Sequence, residues 1–204
     1  MKSNRLTQQI EFILEIDKLK QILRKTFLTD SSRQENTAEH SWHIAMMAII
    51  LEEYALEGVD ISCVIKMLLI HDLVEIDAGD TFCYDVQGYE SKAQREVLAA
   101  KRLFGLLPTE QGSELRKLWE EFEEQKTPNA KFAAALDRIQ PLLHNQKTKG
   151  GSWLVHGITH EQVMKRIAPV EIGAPQLWVF IQQVVDECVA AGYLSAGSGE
   201  EIQY

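Results

Sequence analysis

The stretch Ile61–Asp77, ISCVIKMLLIHDLVEID, decides how the whole chain is read. Its apolar residues recur with helical period, Asp60 can cap its start, and Gly79 stands where it should stop. Leu68, Leu69, Ile70 and Leu73 form the stripe expected to be buried. The run then turns acidic without a break, with His71 and Asp72 side by side and Glu75 and Asp77 following. An apolar interior needs neither a histidine nor clustered carboxylates, because an unpaired buried charge is costly. These side chains are therefore expected to face a cleft.

Outward from this segment, nearly every stretch keeps the helical period and none shows convincing strand alternation. LTQQIEFILEIDKLKQIL places Ile10, Ile13, Leu14, Ile16 and Leu19 on one stripe, and TDSSRQEN breaks it. A second helix is expected from Asn36 or Thr37 to Gly58, with Asn36 and Glu39 as a capping box. A loop, AGDTFCYDVQGYES, precedes KAQREVLAAKRLFGLL, which Pro108 ends. Then come TEQGSELRKLWEEFEEQK and NAKFAAALDRIQPLLHNQK, the latter opened by Thr127-Pro128 and kinked at Pro141. Thr159 with Gln162 marks a short helix, and PQLWVFIQQVVDECVAA closes at Gly192. The fold class is all-α: a single domain over residues 1–204 of roughly seven to nine helices, with a core over about 10–192 and a flexible tail at 195–204.

The chain has 204 residues, 45% apolar and 25% charged, enough for one core and too few for two comfortable ones. The formal net charge is −9, which argues against nucleic acid polymers and anionic membranes as partners. No apolar run approaches the length of a membrane span. The three cysteines form no CxxC pair, which fits a reducing cytoplasm.

Histidine nitrogens and carboxylate oxygens together are usual ligands for a catalytic divalent metal. His40 and His71 each lie near the end of an apolar helix, next to Glu39 and Asp72. Asp137 interrupts an apolar face in FAAALDRIQPLL, where it either ligates or pairs with a base such as Arg138. Trp42 is expected to pack, as are the loop aromatics Phe82, Tyr84 and Tyr89, which could otherwise stack on a base. Glu75 lies four residues after His71, so the two share a helix face.

The segments ENTAEHSWH (Glu35–His43), LLIHDLVEIDAGD (Leu68–Asp80) and ALDRIQ (Ala135–Gln140) carry a resemblance. The chain resembles the HD-domain metal-dependent phosphohydrolases, and within them the branch containing the bacterial 5′-deoxynucleotidases. The resemblance implies that His40, His71, Asp72 and Asp137 bind one divalent metal ion (Mn, Co, Fe, Ni, Zn or Mg), since the extra paired histidines of two-metal branches are missing. It implies a catalytic acidic pair at Glu75 and Asp80. It places Lys25, or the adjacent Arg24, on the phosphate, and Thr26 where the branch has a tryptophan associated with rejecting a ribose 2′-hydroxyl. That departure withdraws the expectation of strict deoxy selectivity. Arg33, His43 and Asp77 are softer substrate-binding candidates. The implied activity is hydrolysis of the phosphate monoester of (deoxy)nucleoside 5′-monophosphates by a homodimer. Alternatives are a phosphodiesterase or pyrophosphohydrolase acting on a signalling nucleotide, or a non-catalytic metal- or nucleotide-binding sensor.

Overall fold

The computed structural model describes residues 4–197, so most of the expected tail lies outside the described residues. Helix α1 (Arg5–Ile16) tightens into a 3-10 turn, Asp17–Gln21, and leads into strand β1 (Leu23–Phe27). β1 pairs antiparallel with β2 (Gln34–Asn36), Leu23 opposite Asn36 and Phe27 opposite Gln34. The sequence reading missed this hairpin, because its strands are short and largely polar and lack the apolar alternation that betrays a half-buried strand. The helices α2 (Thr37–Ile50), α3 (Ile61–Ile70), α4 (Glu75–Ala78), α5 (Val86–Phe104), α6 (Thr109–Glu124) and α7 (Pro128–Lys147) follow. The chain closes with α8 (Gly151–His156), α9 (His160–Ile167), α10 (Pro169–Gly173) and α11 (Pro175–Ala190). The all-α reading holds apart from the hairpin.

The expected caps form. The Asn36 side chain accepts from Glu39 N–H while the Glu39 carboxylate accepts from Asn36 N–H, a capping box. Asp60 accepts from Ser62 and Cys63, Thr127 from Ala130, and Thr159 with Gln162 makes a second box. The helix expected through Ile76 breaks at Ile70. Leu73 N–H then bonds Ile70 C=O and Glu75 N–H bonds Asp72 C=O, a tighter three-residue pattern, before α4 ends at Gly79 with φ +74.

α7 runs through the middle of the main core. Its Phe132, Ala133, Ala134, Ala135 and Leu136 are wholly buried against α2, α3, α9, α10 and α11. Burying Phe132 alone contributes about 1.5–3 kcal/mol. α10 lies so close to α7 that a Cβ on Gly173 would meet the Lys131 carbonyl oxygen at 2.1 Å. A second, smaller core joins Phe12 and Leu19 to Ile70, Leu73, Val74, Phe104 and Trp119. The expected stripe on the first helix holds only in part. Leu19 is buried and Ile16 packs against this second core, whereas Ile10, Ile13 and Leu14 are exposed and Phe12 takes the inward position instead. Trp42, expected to pack, also faces outward.

Candidate metal centre and cleft

Three elements deliver the predicted ligand set to one point. The capping box fixes the start of α2, and His40 sits one turn into it, fully buried. His71 caps α3, its Nδ1–H donating to Leu68 C=O at 2.8 Å. Asp137 projects from the centre of α7. His40 Nε2 lies 3.0 Å from Asp137 Oδ1 and 3.9 Å from Asp72 Oδ2. His71 Nε2 lies 3.1 Å from Asp72 Oδ2 and 3.8 Å from Asp137 Oδ1. Among the described residues, His40, His71 and Asp137 form a trio whose ligand atoms all lie within 4.8 Å of one another and could hold a metal ion; Asp72 borders this trio without being part of it. Ligand bonds of about 2.0–2.2 Å put neighbouring ligand atoms about 3.0–3.5 Å apart, so this spread suits a divalent ion. His71 Nε2 supports the fit, since it is buried and has no well-aligned hydrogen-bond partner of its own.

The electrostatics match. Burial opposes charge on His71, yet Asp72 and Asp137 outweigh it and hold its pKa up at about 10. Burial, with the nearby Arg24 guanidinium, pushes His40 down to about 4. Burial also disfavours the ionised Asp72 and Asp137, but the adjacent imidazoles win and keep both below the carboxylate range. A proton on His71 thus sits where a metal would neutralise the two aspartates.

Glu75 and Asp80 reach the same cleft, a cavity of about 220 Å³ beside the trio. Burial, reinforced by the Asp72 charge, raises Glu75 well above the usual carboxyl range. Its Oε2 accepts from Thr37 Oγ1 at 3.0 Å. Burial raises Asp80 as well, against the pull of Arg24. Strand β1 turns Arg24 and Thr26 inward and leaves Lys25 more exposed, though all three border the cleft. Arg24 Nη1 donates to Asp72 Oδ2 at 3.0 Å. Burial works against its charge, but Asp72 and three further carboxylates keep it protonated.

The remaining candidates lie elsewhere. Arg33 is exposed in the β1–β2 turn and forms a two-pronged pair with Glu39, at 2.6 and 2.8 Å. Asp77 pairs with Arg102 of α5 on the surface. His43 lies one turn beyond His40 and faces Gln140 and His144 at a separate, mostly apolar hollow. Phe82 and Tyr84 border the cleft and stack edge-on each other, whereas the Tyr89 side chain lies outside the described residues. Arg138, Arg166, Lys92 and Trp153 also border the cleft and had not been singled out as cleft residues. Gln140 and His144 were likewise missed as site neighbours. The signal for them was present, since positions 137, 140 and 144 fall on one helical face.

A helical frame that brings two histidines and two aspartates from separate helices to one cleft defines a class of metal-site domain. The family model for the HD domain matches residues 16–178, and the chain belongs to that family. The solved structure of a predicted metal-dependent phosphohydrolase from Magnetospirillum magnetotacticum MS-1 is 56% identical, with a TM-score of 0.91, covering 94% of this chain and 96% of that one. The 5′-deoxynucleotidase HDDC2 proteins of Bos taurus and Homo sapiens are each 30% identical over 135 residues, 66% of this chain. The match spans 64% of the bovine protein's length. The PH0347 protein of Pyrococcus horikoshii OT3, 22% identical with a TM-score of 0.57, shares the fold. Among the described residues, no helix is long and apolar enough to cross a membrane.

Proposed function

We propose that this chain is a metal-dependent phosphohydrolase that hydrolyses the phosphate monoester of nucleoside 5′-monophosphates. The observation that carries the reading is the convergence of His40 Nε2, His71 Nε2, Asp72 Oδ2 and Asp137 Oδ1 beside a cleft walled by two carboxyls of raised pKa. Those four residues would hold one divalent ion. When bound, it supplies Lewis-acid neutralisation of phosphoryl oxygens and an acidified water. Arg24, permanently charged at the cleft wall, orients the phosphate, with Lys25 beside it. Glu75, fixed by Thr37, holds or moves a proton of the attacking water as the P–O5′ bond breaks and the nucleoside leaves with a 5′-hydroxyl. Asp80 faces the same space and suits a sugar hydroxyl or that water. The likeness to the HDDC2 relatives supports a nucleotide substrate.

The test strips the protein with a chelator, restores Mn²⁺, Co²⁺ or Mg²⁺ singly, and measures inorganic phosphate from a nucleotide panel. Wild-type protein as inert as Glu75→Gln with every metal and nucleotide would overturn the reading. Five bases in the lining (Arg24, Lys25, Lys92, Arg138, Arg166), set against the five carboxyls of Asp72, Glu75, Asp80, Glu123 and Asp137, support a second reading, a substrate with more than one phosphate. Pyrophosphate or a nucleoside monophosphate among the products would select it.

The reading also includes a cytoplasmic homodimer. Three free cysteines support the reducing compartment. The exposed α2 stripe of Trp42, Met46, Ile49 and Ile50 supports a self-contact there. On the last helix Leu177, Ile181, Val184 and Val185 are spent in the core, which leaves Val179 and Phe180 exposed.

A further inference from the structure

We propose that Gln140 is a positioning residue that sets the tautomer of His40 and thereby aims its Nε2 lone pair at the metal position. The inference rests on the reading of His40 as a metal ligand. Gln140 is wholly buried on α7, three residues after Asp137. Its Oε1 lies 3.1 Å from His40 Nδ1. Its Nε2 lies 2.6 Å from Glu35 Oε1, 3.1 Å from His144 Nε2 and 3.3 Å from His43 Nδ1.

The partners decide which way the amide points. His144 Nδ1 is 3.0 Å from the Phe27 carbonyl oxygen, which only accepts. The His144 proton therefore resides on Nδ1, and its Nε2 presents a lone pair to Gln140. Glu35 Oε1 has this amide as its hydrogen-bond partner, while Oε2 has none and can carry any proton. Glu35 Oε1 accepts in either protonation state. Reversing the amide would set its oxygen 2.6 Å from that carboxyl oxygen and against an imidazole lone pair. The NH₂ end is thus caged by acceptors, and Oε1 must face His40.

An amide oxygen only accepts, so His40 carries its proton on Nδ1. The Nε2 lone pair then confronts Asp137 Oδ1 at 3.0 Å, acceptor against acceptor, an arrangement a cation resolves. His71 reaches the same state by a simpler route, through the Leu68 carbonyl.

Glu35, His43 and His144 also present ligand atoms within 4.8 Å of one another and could in principle hold a second ion. The Gln140 nitrogen already lies against all three, so the geometry favours the cage.

The experiment measures Zn²⁺ stoichiometry and affinity by chelator competition for wild type, His40→Ala, Gln140→Leu and His144→Ala. It adds long-range ¹H–¹⁵N spectra of the imidazoles in Zn²⁺-loaded wild-type protein. The expected results are one equivalent in wild type, loss in His40→Ala, and about 10–100-fold weaker binding in Gln140→Leu. The spectra should show the His40 proton on Nδ1. Wild-type binding that survives in His40→Ala, or no wild-type binding, overturns the ligand reading and the inference with it. Binding lost in His40→Ala but unchanged in Gln140→Leu overturns the inference alone, as does a His40 proton on Nε2. A second equivalent abolished by His144→Ala assigns the cage to a cation and overturns it too. The spectra need no variant, so a misfolded Gln140→Leu leaves the test intact.

Discussion

Metal binding should compete with a proton, and the structure says which one. His71 Nε2 is buried between Asp72 and Asp137, which hold its pKa at about 10. Below that pH the metal-free protein carries a proton on the atom proposed to contact the ion. His40, pushed down to about 4, is already neutral and gives up none near pH 7. Each pH unit below the pKa costs about 1.4 kcal/mol, so displacing the His71 proton at pH 7 consumes roughly 4 kcal/mol of intrinsic affinity. The apparent Kd should therefore fall about tenfold per unit as pH rises from 7 to 9, and level off above 10. The assay is calorimetric titration with Mn²⁺ or Zn²⁺ in buffers of different ionisation enthalpy, which yields protons released per ion. Glu75 and Asp80 are buried carboxyls of raised pKa in the same cleft, so the measurement belongs in a Glu75→Gln/Asp80→Asn background. About one proton released at pH 7 is expected. Release near zero, with a pH-independent Kd, would refute the proton-for-metal exchange.

Other outcomes follow from the same geometry. Glu75→Gln should lower kcat by at least about 100-fold while chelator competition shows metal affinity nearly unchanged. Thr26 borders the cleft, so Thr26→Trp, which narrows it, should raise the deoxy-to-ribo ratio of kcat/KM from near unity. Gly173→Ala should destabilise the fold by about 1–3 kcal/mol, read as a lower Tm, because the new methyl meets the Lys131 carbonyl oxygen.

The residues at the candidate metal centre were legible because their chemistry is out of place locally. His71, Asp72 and Asp137 interrupt apolar helical runs, and the likeness to a known family tied them together. Residues whose role depends on direction were not legible. Arg33, His43 and Asp77 stand within a few residues of site groups, yet each points to a different partner: Glu39, Gln140 and Arg102. Spacing along the chain does not report which side of a strand or helix end faces the cleft. Arg166 was hidden for the opposite reason. Nothing near it in the sequence is unusual, and only tertiary packing brings it to 3.6 Å from Asp137 Oδ2. The hairpin that carries Arg24 escaped because its stability comes from pairing and from α7 and α8 packed against β1 rather than from its own pattern.

The division of the interior into two clusters has a consequence for how the molecule opens. Met67 and Leu68 belong to the larger cluster, whereas Ile70, Leu73 and Val74 belong to the smaller one. The turn at His71 and Asp72 lies between these clusters, and it is expected to be the seam between two cooperative units. Amide hydrogen exchange should find α1 and the end of α5 opening as one sub-global unit at lower free energy than α7. The amides of residues 71–75 should exchange with the weaker unit in the metal-free protein. An ion bridging His40, His71 and Asp137 would merge the two openings into one.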